Sequence, residues 1–154
     1  MSNQEFPFLS CREMEVVNTK ATVGRISLTG ELGYEINVPV KYQQDLYEAL
    51  MKAGKDLGLV NIGNRALDSL RLEKSYGIWN AEFTQGYTPE MSYLKAFIAF
   101  DKPDFIGKEA ALKEKETGAK EILVTLQVDS KDADAPVYAP VKHNGKVIGF
   151  ITSS

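Results

Sequence analysis

The ten residues 29–38, TGELGYEINV, constrain the path of this chain more than any other stretch. Gly30 and Gly33 bracket a tight turn, and beyond it Tyr34, Ile36 and Val38 alternate with Glu35 and Asn37. That period is the mark of a strand with one apolar face, and it places Glu35 on the face opposite the apolar set. Ahead of the turn, Val23, Ile26 and Leu28 predict a strand over residues 22–29. After it, Pro39 opens a helical pattern in which Tyr42, Leu46, Ala49, Leu50 and Ala53 recur at helical spacing until Gly54. A strand pair feeding an amphipathic helix predicts an α+β architecture.

The residues before this unit mix FPFL with polar and charged positions in no single period, and they read as a lead-in segment. A second helix is expected over residues 64–74, with Ala66, Leu67 and Leu70 as its buried stripe. Residues 75–92, SYGIWNAEFTQGYTPEMS, are rich in aromatic and turn-forming types and predict a long loop, the kind that often carries function. An apolar run at 93–100 predicts a strand, and DKPDFIG leads into a charged helix over 108–116. The composition changes at 117–119. Residues 121–128 alternate as a strand, and HNGK at 143–146 is a hairpin signal followed by the strand VIGFI. Two domains are therefore expected, 1–116 of mixed α/β character and 117–154 of β character. The second has too few strands to fold alone and stops directly after one of them, the expectation for a truncated domain whose open edges would favour a homo-oligomer.

Charge and residue usage remove several functions. A net charge of -3 offers no basic footprint for nucleic acid. No apolar run reaches the roughly 20 residues of a membrane-spanning helix, and no basic-then-apolar leader opens the chain, so a cytoplasmic protein is expected. One cysteine, Cys11, cannot form an internal disulfide or a thiolate metal site, and the lone His143 argues against a hydrolase triad or a histidine-based zinc site. No glycine loop of the phosphate-cradling type is present, since GELG is too short and lacks the lysine.

Three candidates for chemistry remain. Glu35 lies inside a strand, where a carboxylate is either solvated on a wet face or used to accept hydrogen bonds from a ligand. Spacing alone leaves both readings open. Glu31, on the turn, reads as a solvated carboxylate. In DSLRLEKSYGIW, residues 68–79, Asp68 can pair with Arg71 one helical turn on, and Tyr76 and Trp79 follow directly. Those two rings could cradle a planar heterocycle or simply pack a core.

Five ordered blocks carry a further signal: RISLTGELGYEINVP at 25–39, ALDSLRLEKSYGIW at 66–79, TPEM at 88–91, FDKPDFIGKEAAL at 100–112 and KVIGFITS at 146–153. Together they resemble the folate-binding aminomethyltransferase family, which includes the glycine-cleavage T-protein and the C-terminal halves of dimethylglycine and sarcosine dehydrogenases. The LDSLRLEK run, Trp79 and DKPDFIG are most similar to the flavin-linked dehydrogenase branch; a T-protein or another folate-dependent demethylase is the alternative, and a noncatalytic folate- or partner-binding module is the alternative of another class. The resemblance implies a partial aminomethyltransferase domain over 1–116 followed by the start of a C-terminal β-barrel. It implies tetrahydrofolate as cofactor, with the Glu35 carboxylate accepting the two parallel N–H groups of the pterin edge. Leu28 stands where many relatives place a pocket tyrosine, and Tyr76 and Trp79 are further pocket candidates. The reaction implied is capture of a one-carbon unit as 5,10-methylenetetrahydrofolate. The family's assisting aspartate belongs to an N-terminal segment and FAD to a separate domain, so neither a catalytic residue nor a flavin site is expected here, and the isolated chain is expected to be inactive.

Overall fold

The computed structural model describes residues 3–154, and the chain divides into two compact units, one ending at Lys74 and one spanning Ser75–Ser154. The first contains a three-stranded antiparallel sheet in the order β1 (Cys11–Val16), β2 (Thr19–Gly24), β3 (Glu35–Asn37), followed by helices α1 (Gln43–Gly54) and α2 (Asn64–Glu73). The second holds α3 (Lys108–Thr117) and an open antiparallel pair, β4 (Pro140–His143) and β5 (Lys146–Phe150). This is the expected α+β character, with open sheets.

The lead-in segment is corrected: it forms β1, joined to β2 by a two-residue turn in which Val17 and Asn18 both have positive φ. That backbone matches the twist of the flanking strands. The period was masked because Arg12 occupies an inward slot. Arg12 pairs with Val23, which pairs with Ile36, and the Arg12 guanidinium sits over the Phe6 ring at 5.2 Å from its centroid. Phe6, Ala21 and Val23 are buried, with Met14, Val16, Ile36 and Val38 packed against them. The opposite face carries the rows Cys11–Gly24–Glu35 and Glu13–Thr22–Asn37.

The expected strand over 22–29 is displaced: β2 ends at Gly24, and residues 25–34 form a longer connection than the tight turn expected. Arg25 explains the break, because its main chain bonds Leu9 and Ser10 while its Nη1 donates to the Phe6 carbonyl. The helix after Pro39 is found, with Leu46 as its buried apolar residue. In α2 the expected stripe is overturned. Ala66 and Leu70 are exposed and Leu67 is half-buried, whereas Arg71 is 3% exposed with Nε donating to Asp68 Oδ1 at 3.2 Å. The Asp68–Arg71 pair itself is as the spacing predicts.

Residues 75–92 form no helix or strand, as expected, but they are wound by successive turns. The predicted strand at 93–100 is a single 3-10 turn, Lys95–Phe97, and 121–128 join no strand ladder among the described residues. Alternation states a preference for one wetted face; a strand also needs a partner edge. The charged helix is found at α3, and the NG turn is found with Asn144 and Gly145 at φ 49 and 76. Gly145 takes that left-handed position without steric cost.

Candidate functional site

In the first unit the site is built on the 25–34 connection and the start of β3. Glu35 begins β3 opposite Gly24, so the neighbouring position in its row carries no side chain. Its carboxylate is exposed and meets no hydrogen-bond or ion-pair partner among the described residues. Both oxygens are therefore open to an incoming donor pair, and the strand register sets the face of the sheet from which the side chain leaves. Leu28 lies in the connection and is 38% exposed. The connection closes on itself at Gly33, where an added Cβ would stand 2.8 Å from the Ile26 carbonyl oxygen.

Glu31 is not simply solvated, as the turn suggested. Lys74 Nζ contacts its Oε1 at 2.8 Å, tying the loop to the end of α2. Gly30 makes this possible: its φ is +73, and a Cβ there would lie 2.9 Å from Lys74 Cγ. The hydrogen bond from Lys74, and then its charge, hold the Glu31 carboxyl below the usual carboxylate range, against a small opposing effect of desolvation. The pair therefore favours the folded state above the ordinary carboxylate pKa, and this contribution fades as pH falls through the lowered folded value. In Lys74→Ala, a carboxyl NMR titration should show Glu31 returning upward to the ordinary range, and added salt should shrink the difference between the two proteins.

The second unit holds the other candidates. Tyr76 is 44% and Trp79 80% exposed, so neither is a core residue. Trp79 meets Phe83 edge-on, ring centroids 5.8 Å apart at 73°. In the same unit a cleft of about 160 Å³ is lined by Asn80, Thr84, Tyr87, Tyr138, Phe150 and Thr152 among others, and by neither Tyr76 nor Trp79. Glu82 was not foreseen. It is 4% exposed and bonds the Ile78 N–H and the Ser153 hydroxyl. Its only sequence signal is an acidic residue set between Ala81 and Phe83 in an aromatic loop. Thr88 was missed too: it donates to Glu114 Oε1 at 2.9 Å and accepts from the Met91 N–H.

Thus Glu35 and Leu28 belong to the first unit and Tyr76 and Trp79 to the second. Among the described residues no group of three or more His, Cys, Asp or Glu is placed to hold a metal, and no helix is long and apolar enough to cross a membrane. A free carboxylate and exposed aromatic faces are tools of recognition: they accept hydrogen bonds and stack planar rings.

Known proteins are similar to this sequence. Residues 1–102 match the family model described as the GCVT N-terminal domain, and the chain belongs to that family, the aminomethyltransferase family its motifs resemble. The mitochondrial dimethylglycine dehydrogenase of Homo sapiens is 38% identical over 154 residues, covering 99% of this chain and 18% of that protein. An aminomethyltransferase of Halothermothrix orenii is 40% identical over 131 residues, covering 85% of this chain and 36% of that one. The mitochondrial pyruvate dehydrogenase phosphatase regulatory subunit of Mus musculus is 33% identical over 160 residues, 100% of this chain and 18% of the subunit. The chain therefore spans well under half the length of each of these relatives.

Proposed function

We propose that this chain binds a reduced folate, with Glu35 as the acceptor for the aminopyrimidine edge of the pterin, and that it serves a one-carbon transfer. One observation supports this most: the Glu35 carboxylate is held on a strand, beside Gly24, with both oxygens open. An amide matches a pair of N–H donors only in part, whereas a carboxylate accepts from both. The residues present fit a pterin in kind. Within the first unit Leu28 offers an apolar edge; the second unit, taken by itself, offers the rings of Tyr76 and Trp79, at 44% and 80% exposure, for stacking. When bound, tetrahydrofolate supplies the nitrogens that take up the carbon as 5,10-methylenetetrahydrofolate. This chain's own residues bind and orient; the amine chemistry, in a dehydrogenase or a T-protein context, belongs to the whole protein. The likeness to a dimethylglycine dehydrogenase runs over 99% of this chain, against 85% for the aminomethyltransferase, and that extent favours the dehydrogenase context.

Calorimetric titration of 5-formyltetrahydrofolate into the chain and into Glu35→Gln tests this. The variant is expected to bind about tenfold to a hundredfold more weakly, the loss for removing one charge-assisted bond. Equal affinity would remove Glu35 from the site. A second reading, a noncatalytic binding module, draws on the likeness to a phosphatase regulatory subunit. It predicts association with a protein partner that folate neither strengthens nor weakens.

A further inference from the structure

A buried carboxylate is costly to desolvate unless its oxygens are satisfied, and apolar residues of similar size would often be at least as stable in its place. Glu82 therefore requires an explanation. Its Oε2 accepts the Ile78 N–H at 3.0 Å and its Oε1 accepts the Ser153 hydroxyl at 2.6 Å. The Ile78 carbonyl in turn accepts the N–H groups of Ala81, Glu82 and Phe83. Both main-chain polar groups of Ile78 are thus engaged, and the next residue is Trp79. On the other side of Ile78, Gly77 leaves no room. A Cβ there would stand 2.7 Å from the Phe83 ring and 2.8 Å from Glu82 Cβ. The main chain from Gly77 to Phe83 is wound around one carboxylate, and the residue it presents outward is an indole 80% exposed.

We propose that Glu82 is a positioning residue. Through the Ile78 main chain it fixes the direction in which Trp79 presents its ring to a planar heterocyclic ligand, and Ser153 orients the carboxylate that does so. The ligand part of this statement rests on the folate reading above; the positioning part does not. A carboxylate suits the role because it accepts from both partners at once, while a glutamine offers a single acceptor oxygen, so that its Ser153 contact must be remade with the hydroxyl reversed and without the carboxylate charge.

Trp79 is the chain's one tryptophan, so its signal is unambiguous. Near-UV circular dichroism reports the fixed indole–phenyl pair, and far-UV circular dichroism reports the fold. In Glu82→Gln and in Ser153→Ala the tryptophan bands are expected to lose roughly half or more of their intensity with the far-UV spectrum unchanged, and 5-formyltetrahydrofolate is expected to bind about tenfold more weakly to Glu82→Gln and about threefold more weakly to Ser153→Ala. Unchanged tryptophan bands in both variants would overturn the proposal. Diminished bands in a protein whose wild type binds no folate would uphold the positioning role and sink the folate reading instead. Should Glu82→Gln fail to fold, Ser153→Ala, which deletes one partly buried hydroxyl, gives the same decision.

Discussion

Phe6→Ala is expected to destabilise the first unit by about 3–5 kcal/mol, enough to leave its sheet largely unfolded at ordinary temperature. Phe6 is the largest fully buried side chain among the described residues, and the cluster around it contains only two other buried members, Ala21 and Val23. So small a core has little to collapse into the space left. Two further contacts would go with the ring: the Arg12 guanidinium over its face, and Tyr34, whose ring centroid is 5.9 Å away. Amide hydrogen exchange separates this effect from events in the second unit. Protection should fall across β1, β2 and β3 and hold at α3. Retained protection in the sheet would mean that Phe6 is not what closes the core.

Gly33→Ala is expected to cost about 1–3 kcal/mol, the usual range for forcing extra volume into a closed site. The atom that a new methyl would meet is the Ile26 carbonyl oxygen at 2.8 Å, with Ser27 Cβ at 3.1 Å behind it. A side chain could swing away; main chain cannot, so the connection must open. Because Glu35 follows two residues later, the same change should displace its carboxylate and weaken folate binding about tenfold. Urea midpoints and a folate titration on one sample would test both. A midpoint within error of wild type would show that the connection is looser than its geometry implies.

The motif that opens the chain's logic was legible in part. Alternation placed Glu35 on the face away from Ile36 and Val38, and the sheet register agrees, because a strand's side chains cannot do otherwise. Its partner strand ends sooner than the apolar spacing predicts. Val23, Ile26 and Leu28 look like one run, yet Arg25 is drawn off to bond Phe6 and the ladder stops at Gly24. β1 was illegible for a related reason: its inward row includes Arg12, whose charge hides an apolar role played by its stem and plane. The helices after Pro39 and at 108 read correctly because their spacing and flanking glycines agree. The α2 stripe did not, since a buried Arg71 bonded to Asp68 displaces the leucines expected there.

The candidate site shows the same division. Residue types single out Glu35, Tyr76 and Trp79, and the two aromatic side chains are exposed. What sequence could not supply were long-range pairs: Lys74 with Glu31, and Ser153 with Glu82, 71 positions apart. Such pairs leave no periodic trace, and only the folded backbone brings them together.

The most direct test follows the Glu35 carboxyl-carbon NMR resonance while 5-formyltetrahydrofolate is added. The predicted result is a saturable shift of Glu35, with Glu31 unmoved in its pairing to Lys74. Saturable folate binding that leaves the Glu35 carboxyl resonance in place would contradict the assignment of Glu35 to the pterin edge.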